Sequence, residues 1–346
     1  MFKVGGFIGA TNFLAMLFGF CVILYSLTYW RRDTENPSRF YAFALWAVAG
    51  ASVALCTRHL LVFLFAWEGV TLMLYLLVGL GGPKARAGAA KTFSMLGFSD
   101  VALILAVACL FAMGGAQNLD IDHLQSAAGR IIAATPGEVG VFLLFLVAAL
   151  AKAGAFPLHT WIPAAAEHAP VPTMALLPAS LDKLLGIVLL ARVSLGFFEL
   201  ALGLKMLLMV IGAVTIISAV MMAMVQHELK KLLSFHAVSQ VGYMVLGIGT
   251  GVPVGIVGGL FHMINHAIYK SLLFLSGGAV QSRTDDLELD NLGGLARAMP
   301  LTATAFFVGA LAISGVPPLN GFVSKWMVYQ GVIEGGGYLM PLLLAA

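Results

Sequence analysis

The residues with the most chemical potential in this sequence are the few that interrupt apolar stretches. In Phe261-His262-Met263-Ile264-Asn265-His266-Ala267-Ile268-Tyr269-Lys270, two histidines and a lysine fall at i, i+4 and i+8. A helix stacks that spacing on one face, with neighbours about 6 Å apart. Three titratable groups so placed inside an apolar helix have the makings of a proton wire. A zinc site is the competing use of a His pair at i, i+4. No glutamate sits between them in HExxH fashion and no third ligand is evident, so a metal is not expected.

Other charges are equally exposed to cost. Placing Lys, Arg or Asp at a membrane helix centre costs about 2.5–3.5 kcal/mol on insertion scales, so such residues are few and usually functional. Glu68 lies in Phe65-Ala66-Trp67-Glu68-Gly69, Lys152 in Ala149-Leu150-Ala151-Lys152, and Asp182 and Lys183 are adjacent in Ser180-Leu181-Asp182-Lys183-Leu184. Neighbours in sequence point in different directions on a helix. Asp182 and Lys183 therefore need not pair, and Lys183 is free to face Lys152. The alternative for each charge is a static salt bridge that holds helices together; for Asp182 both readings stand. In His227-Glu228-Leu229-Lys230-Lys231, the lysines suit an interfacial anchor. His236 and Ser239 lie deeper, placed to pass protons or bind water.

Helices are needed to hold these groups. Of 346 residues 60% are hydrophobic and only 10% charged, against about 25% charged in a soluble domain. Mean hydropathy is +0.97. A soluble globule cannot hide that much apolar side chain. The apolar runs are unbroken rather than alternating, which excludes a porin-type barrel and requires helices. Segments 4–30, 41–58, 60–80, 88–114, 137–166, 171–195, 202–226, 231–250, 253–280 and 300–333 read as ten spans, and 337–346 as the start of an eleventh. The first run is long enough to span, so it is expected to be an anchor rather than a cleaved leader. Alternating the faces puts Arg31, Arg32, Arg39, Lys84, Arg86, Lys91, Lys230, Lys231, Arg283 and Arg297 on one side. Lys3, Arg58, Arg130 and Lys205 fall on the other. The positive-inside rule makes the first side cytoplasmic and starts Met1 outside.

Two spans are overlong and broken by proline. One break lies in Lys152-Ala153-Gly154-Ala155-Phe156-Pro157-Leu158-His159-Thr160-Trp161-Ile162-Pro163. The other lies in Gly315-Val316-Pro317-Pro318-Leu319-Asn320-Gly321-Phe322-Val323-Ser324-Lys325. Each sets Pro and Gly beside a lysine at membrane depth. They are five spans apart, an odd number, so equivalent helices run in opposite directions. Paired broken helices of this kind point to an inverted-repeat transporter. The expected fold class is an all-α polytopic membrane protein, with a leading span and loop in 1–40. A first five-helix repeat follows in 41–196, and a second, truncated one in 197–346.

The counts also exclude functions. A net charge of +3, with no basic stretch interleaved with aromatics, does not suit a nucleic-acid reader. Cys21, Cys56 and Cys109 sit in apolar runs with no CxxC spacing, which supports neither an iron–sulfur cluster nor zinc. There is no GxGxxG and no P-loop. No cofactor is therefore expected on this chain.

Taken together, Trp67-Glu68-Gly69, Lys152 to Pro163, Lys230 to Tyr243, His262 to Leu275 and Gly315 to Lys325 resemble the antiporter-like membrane subunits. These occur in respiratory complex I, Mrp-type cation/proton antiporters and energy-converting membrane-bound [NiFe]-hydrogenases. The run from Lys152 with Asp182-Lys183-Leu-Leu-Gly is nearer the hydrogenase-type branch. The resemblance implies that Glu68 is the glutamate that pairs with a channel lysine, and that Lys152 is that lysine. It makes His262, His266 and Lys270 the central relay, Lys230 a lysine at the mouth of the second half, and Lys325 the terminal channel residue. It implies a proton-translocating subunit of a redox-driven complex in a bacterial or archaeal inner (cell) membrane. Its partners would be other membrane subunits and peripheral redox subunits. The rivals are a stand-alone Mrp-type Na⁺/H⁺ antiporter component and a static membrane scaffold. Against the family's usual fourteen spans, two leading spans and the C-terminal end are missing. That leaves a split gene, with a neighbouring subunit supplying the rest, or a truncation. Pro178 stands where the family has a polar residue, with Asp182-Lys183 one turn away.

Overall fold

The structure, a computed structural model, describes residues 6–30, 37–335, 337 and 340. Lys3, Arg31, Arg32 and most of the 337–346 segment lie outside the described residues. The main helices are α1 (Gly6–Tyr29), α2 (Pro37–Cys56), α3 (Leu60–Gly79), α4 (Arg86–Gly114), α5 (Pro136–Ala153) and α6 (Trp161–His168). They continue with α7 (Val171–Phe197), α8 (Leu202–Met224), α9 (Leu229–Gly249), α10 (Pro253–Thr284), α11 (Pro300–Ser314) and α12 (Asn320–Gly335). The fold is an all-α polytopic membrane fold. Among the described residues, eight helices are long and apolar enough to cross a membrane. The other two expected spans are α10, whose polar residues dilute its hydropathy, and the pair α11–α12, each too short to cross alone.

Connections gather at two ends. A bridge joins His59 to Asp120, Arg58 pairs with Asp122, and Ile131–Ile132 pairs in parallel with Phe198–Glu199. Lysine and carbonyl contacts at the opposite end join Lys230 to Glu167, and a bridge joins Glu228 to Glu288. The loops after α2, α4 and α7 thus share one end, and those after α6, α8 and α10 share the other. This is the alternation that the span order requires.

At the centre runs α7, buried from Val171 to Ala191. A helix apolar all round belongs inside the bundle. Pro178 cannot donate its missing N–H, and the helix widens into a π turn over Leu177–Leu181. Carbonyls near the break are taken by hydroxyls instead. Ser180 Oγ donates to Leu176 O at 2.5 Å and Ala175 O at 3.2 Å, and Ser271 Oγ of α10 donates to Ala175 O at 3.2 Å. Asp182 and Lys183 follow directly. A Cβ on Gly186 would lie 2.6 Å from Ala153 N, so glycine lets α7 reach the end of α5. The outer helices keep large apolar side chains exposed, among them Phe13, Trp46, Phe65 and Phe98, as a lipid-facing surface requires.

Both proline-broken spans end alike. α5 closes at Gly154 with φ +79° and α11 at Gly315 with φ +80°, the left-handed conformation that glycine adopts freely. Gly154 N and Ala155 N both donate to Leu150 O at 2.8 Å; Val316 N donates to Leu311 O at 3.1 Å. The chain then turns and restarts as α6 and α12.

Candidate functional site

Lys152 sits in the last turn of α5, where the helix dipole favours a cation. Its side chain is fully buried. Nζ donates to Thr71 Oγ1 at 2.7 Å and Trp67 O at 3.3 Å, and lies 5.0 Å from the Trp67 ring centre. Its ion pair is with Asp182 Oδ1 at 3.8 Å, both side chains being wholly shielded. No ion pair joins Lys152 to Glu68 among the described residues. Glu68 instead lines a cavity of about 330 Å³ on the flank of α3 and α4, shared with Asp100. Its Oε1 has no hydrogen-bond partner there. Because Glu68 is one residue beyond Trp67 on α3, its side chain points about 100° away from the Trp67 face that meets Lys152. Asp100 receives Trp67 Nε1 at 2.7 Å, and its charge and that of Glu68 both act on Lys152.

Lys183 points elsewhere, as adjacent helix positions must. Its Nζ donates to Ala153 O at 2.9 Å, in the carbonyl end of α5. The residue facing Lys152 is therefore Asp182, not Lys183. The second break has the same chemistry: Lys325 Nζ donates to Ile313 O at 2.9 Å and lies 4.8 Å from the Tyr243 ring centre. Each broken helix thus offers its last carbonyls, the negative end of its dipole, to a lysine, Lys183 fully buried at the first break and Lys325 half-buried at the second.

On α10, His262, His266 and Lys270 are all buried on one helix face. His262 Nδ1 meets Ser324 Oγ of α12 at 2.9 Å and its Nε2 meets Gln240 Oε1 of α9 at 3.1 Å. Tyr269 Oη lies 3.3 Å from both Gln240 Oε1 and His262 Nε2. His266 packs its ring 5.6 Å from that of Tyr269. Among the described residues, His266 and Lys270 have no hydrogen-bond partner, and no direct bond joins His262, His266 and Lys270 to one another. Buried groups so placed are usually bridged by water. A cation on Lys183 or Lys270 would oppose charging of His266, one on Lys270 or Lys325 that of His236, one on Lys325 that of His262, and one on Lys183 that of Lys270. His236 lies on α9, near enough to Lys270 and Lys325 for both to act on it. Lys230 sits at the end of α6, donating to Glu167 O at 3.4 Å and Ala169 O at 3.5 Å, while Lys231 pairs with Glu167 at 3.0 Å. It therefore closes the first broken helix as well as opening α9.

Several residues of this line escaped the reading of the sequence. Asp100, within Gly97-Phe98-Ser99-Asp100, is an acid inside an apolar run and carries the signal that singled out Glu68. Thr71, Gln240, Tyr269 and Ser324 are ordinary polar residues by type. Their roles come from what faces them across helices, which one chain position does not announce.

The line of groups can be set beside known proteins. The family described as "NADH:quinone oxidoreductase/Mrp antiporter, TM" matches residues 57–346. Hydrogenase-4 component B of Escherichia coli (strain K12) is 33% identical over 326 residues, 90% of this chain and 48% of that protein. NADH-quinone oxidoreductase subunit N of Desulforudis audaxviator (strain MP104C) is 31% identical over 346 residues, 97% of this chain and 67% of that protein. The Mrp complex from Dietzia sp. DQ12-45-1b superposes with a TM-score of 0.90 at 29% identity, covering 98% of this chain and 37% of that one. The chain spans about half the length of most of the curated relatives it matches. By the extent of these matches, the chain belongs to the NADH:quinone oxidoreductase/Mrp antiporter family of transmembrane proteins.

Proposed function

We propose that this chain is a proton-translocating membrane subunit of a redox-driven multisubunit complex, of the complex I or energy-converting hydrogenase kind. One observation carries the reading: a line of buried ionisable groups runs through the interior from Asp100 and Lys152, through Asp182, Lys183, His266 and Lys270, to His262, and ends on the half-buried Lys325. Isolated charges at such depth are costly, and a continuous set of them is hard to account for without ion movement.

In the mechanism, Lys152 holds a proton while Asp182 and Thr71 support its ammonium form. A change in charge at the Glu68–Asp100 cavity, imposed by a neighbouring subunit, alters that support. The proton then passes along the line toward Lys183, His266 and Lys270, with water bridging the gaps, and leaves through His262, His236 and Lys325. The carbonyl ends at Ala153 and Ile313 stabilise the cationic stations at the two breaks. Residues 41–196 and 197–346 act as the two inverted halves, each with its own broken helix, and Lys230 lies at the mouth of the second. The start of α1 faces the outside of a bacterial or archaeal cell membrane. Electron carriers belong to peripheral redox subunits, and other membrane subunits complete the path.

A second reading, a subunit of an Mrp-type Na⁺/H⁺ antiporter without a redox partner, is favoured by the structural likeness to the Mrp complex. Lysine and histidine along the line favour protons over Na⁺, because cationic side chains repel Na⁺ while transferring protons readily. The test is the complex isolated with its partners and reconstituted in vesicles. Proton uptake driven by electron transfer, and abolished in Lys152→Ala with the complex still assembled, supports the reading. Proton movement that needs no electron transfer and follows a Na⁺ gradient supports the antiporter instead.

A further inference from the structure

A pocket of about 520 Å³ opens at the end of the bundle where α1 begins and α2 and α7 finish. It stands apart from the polar line. Leu260, in its wall, is two residues from His262 and therefore about 200° round α10 from the histidine face. Three ionised side chains line it: Arg58, Asp122 and Arg192. Arg58 is neutralised by Asp122, with which it forms an ion pair. Arg192 has no acidic partner among the described residues. Its guanidinium donates to Ala54 O at 3.3 Å and to Leu55 O, in the last turn of α2, and lies 5.9 Å from the Phe63 ring centre. A guanidinium carries five N–H donors. Two are spent on these carbonyls, which leaves three donors and one uncompensated positive charge at the pocket. Gln125 adds an amide to the same wall, while Phe7, Leu195 and Leu260 make the rest apolar.

We infer that this pocket binds a phospholipid, its phosphodiester on Arg192 and its acyl chains along Phe7, Leu195 and Leu260. A phosphodiester carries one negative charge, matching the single charge that Arg58, Asp122 and Arg192 leave. Its paired oxygens suit the planar donor fork of arginine. The apolar wall distinguishes a lipid from a free phosphate ion, which would gain nothing from it. Bound there, the lipid ties the start of α1 to the ends of α2 and α7.

The test uses the complex in mild detergent, delipidated and titrated with phosphatidylglycerol, dioleoylglycerol or inorganic phosphate, with retention read by native mass spectrometry. Phosphatidylglycerol is expected to bind, with the neutral diacylglycerol and inorganic phosphate failing to displace it. Arg192→Gln is expected to weaken retention about tenfold or more, the loss of charge-assisted hydrogen bonds. Since that change also uncaps α2, Leu260→Trp supplies the second arm: it fills the pocket, leaves the arginine bonds intact and is expected to weaken binding similarly. Displacement by inorganic phosphate alone would make this a free-anion site and overturn the proposal. So would equal retention of dioleoylglycerol, or undiminished phosphatidylglycerol binding in Leu260→Trp.

Discussion

Replacing Asp182 with asparagine removes the carboxylate that faces Lys152 while keeping its shape. The two charges are 3.8 Å apart with both side chains shielded from solvent. Two unit charges at that distance attract by about 4 kcal/mol at an effective interior dielectric of about 20. Asparagine forfeits most of that, and Thr71 Oγ1 and Trp67 O remain as the polar support for Nζ. Each 1.4 kcal/mol is tenfold, so the proton's preference for Lys152 falls by about a thousandfold. The station then no longer loads, and Asp182→Asn should lose proton uptake. The assay is dye-reported acidification in vesicles holding the complex, with electron transfer measured in parallel with and without an uncoupler. Electron transfer should persist or slow, and lose its response to the uncoupler. A purely static bridge predicts otherwise: lower thermal stability, by about 3–5 kcal/mol for a broken buried pair, and normal pumping by whatever complex survives. Normal proton uptake per electron in assembled Asp182→Asn would refute the reasoning.

Lys152→Arg keeps the charge and should still fail to pump, because arginine does not release its proton; pumping at the normal rate in vesicles would exclude proton release from this position. His266→Ala should slow proton transfer with subunit content unchanged on a native gel, and normal rates would make the α10 cluster packing rather than wire. Gly154→Ala forces a side chain into a left-handed turn and drives its Cβ into Ile162 Cδ1. A stability loss of about 1–2 kcal/mol or more should appear as a lower melting temperature. For orientation, a cysteine placed near Arg283 should label from the cytoplasmic side alone and one near Asp120 from the outside alone; labelling of both from one side would contradict the topology.

Composition and period decided much of this protein in advance. Unbroken apolar runs can satisfy their backbone in a membrane as helices, so the span positions are written in the sequence. Proline and glycine act locally, which is why both breaks fall where the chain shows them, and why Gly154 and Gly315 close their helices in the same way. The i, i+4, i+8 spacing fixes His262, His266 and Lys270 on one face whatever surrounds α10. The π turn at Pro178 was less visible, since a proline in an apolar run announces a disturbance without naming its form.

Partnership across helices is what the tertiary structure alone decided. Spacing along α3 marks Glu68 as a buried acid, but whether it or Asp182 faces Lys152 depends on the rotation and depth of α3, α5 and α7, set by packing at sites such as Gly186. The structure gives Lys152 to Asp182, turns Lys183 onto the carbonyl end of α5, and brings Asp100 beside Glu68. The same holds for Gln240, Tyr269 and Ser324 around His262. A single sequence states the cost of burying each charge; the energy that offsets it comes from groups tens of residues away, and their positions exist once the helices have packed.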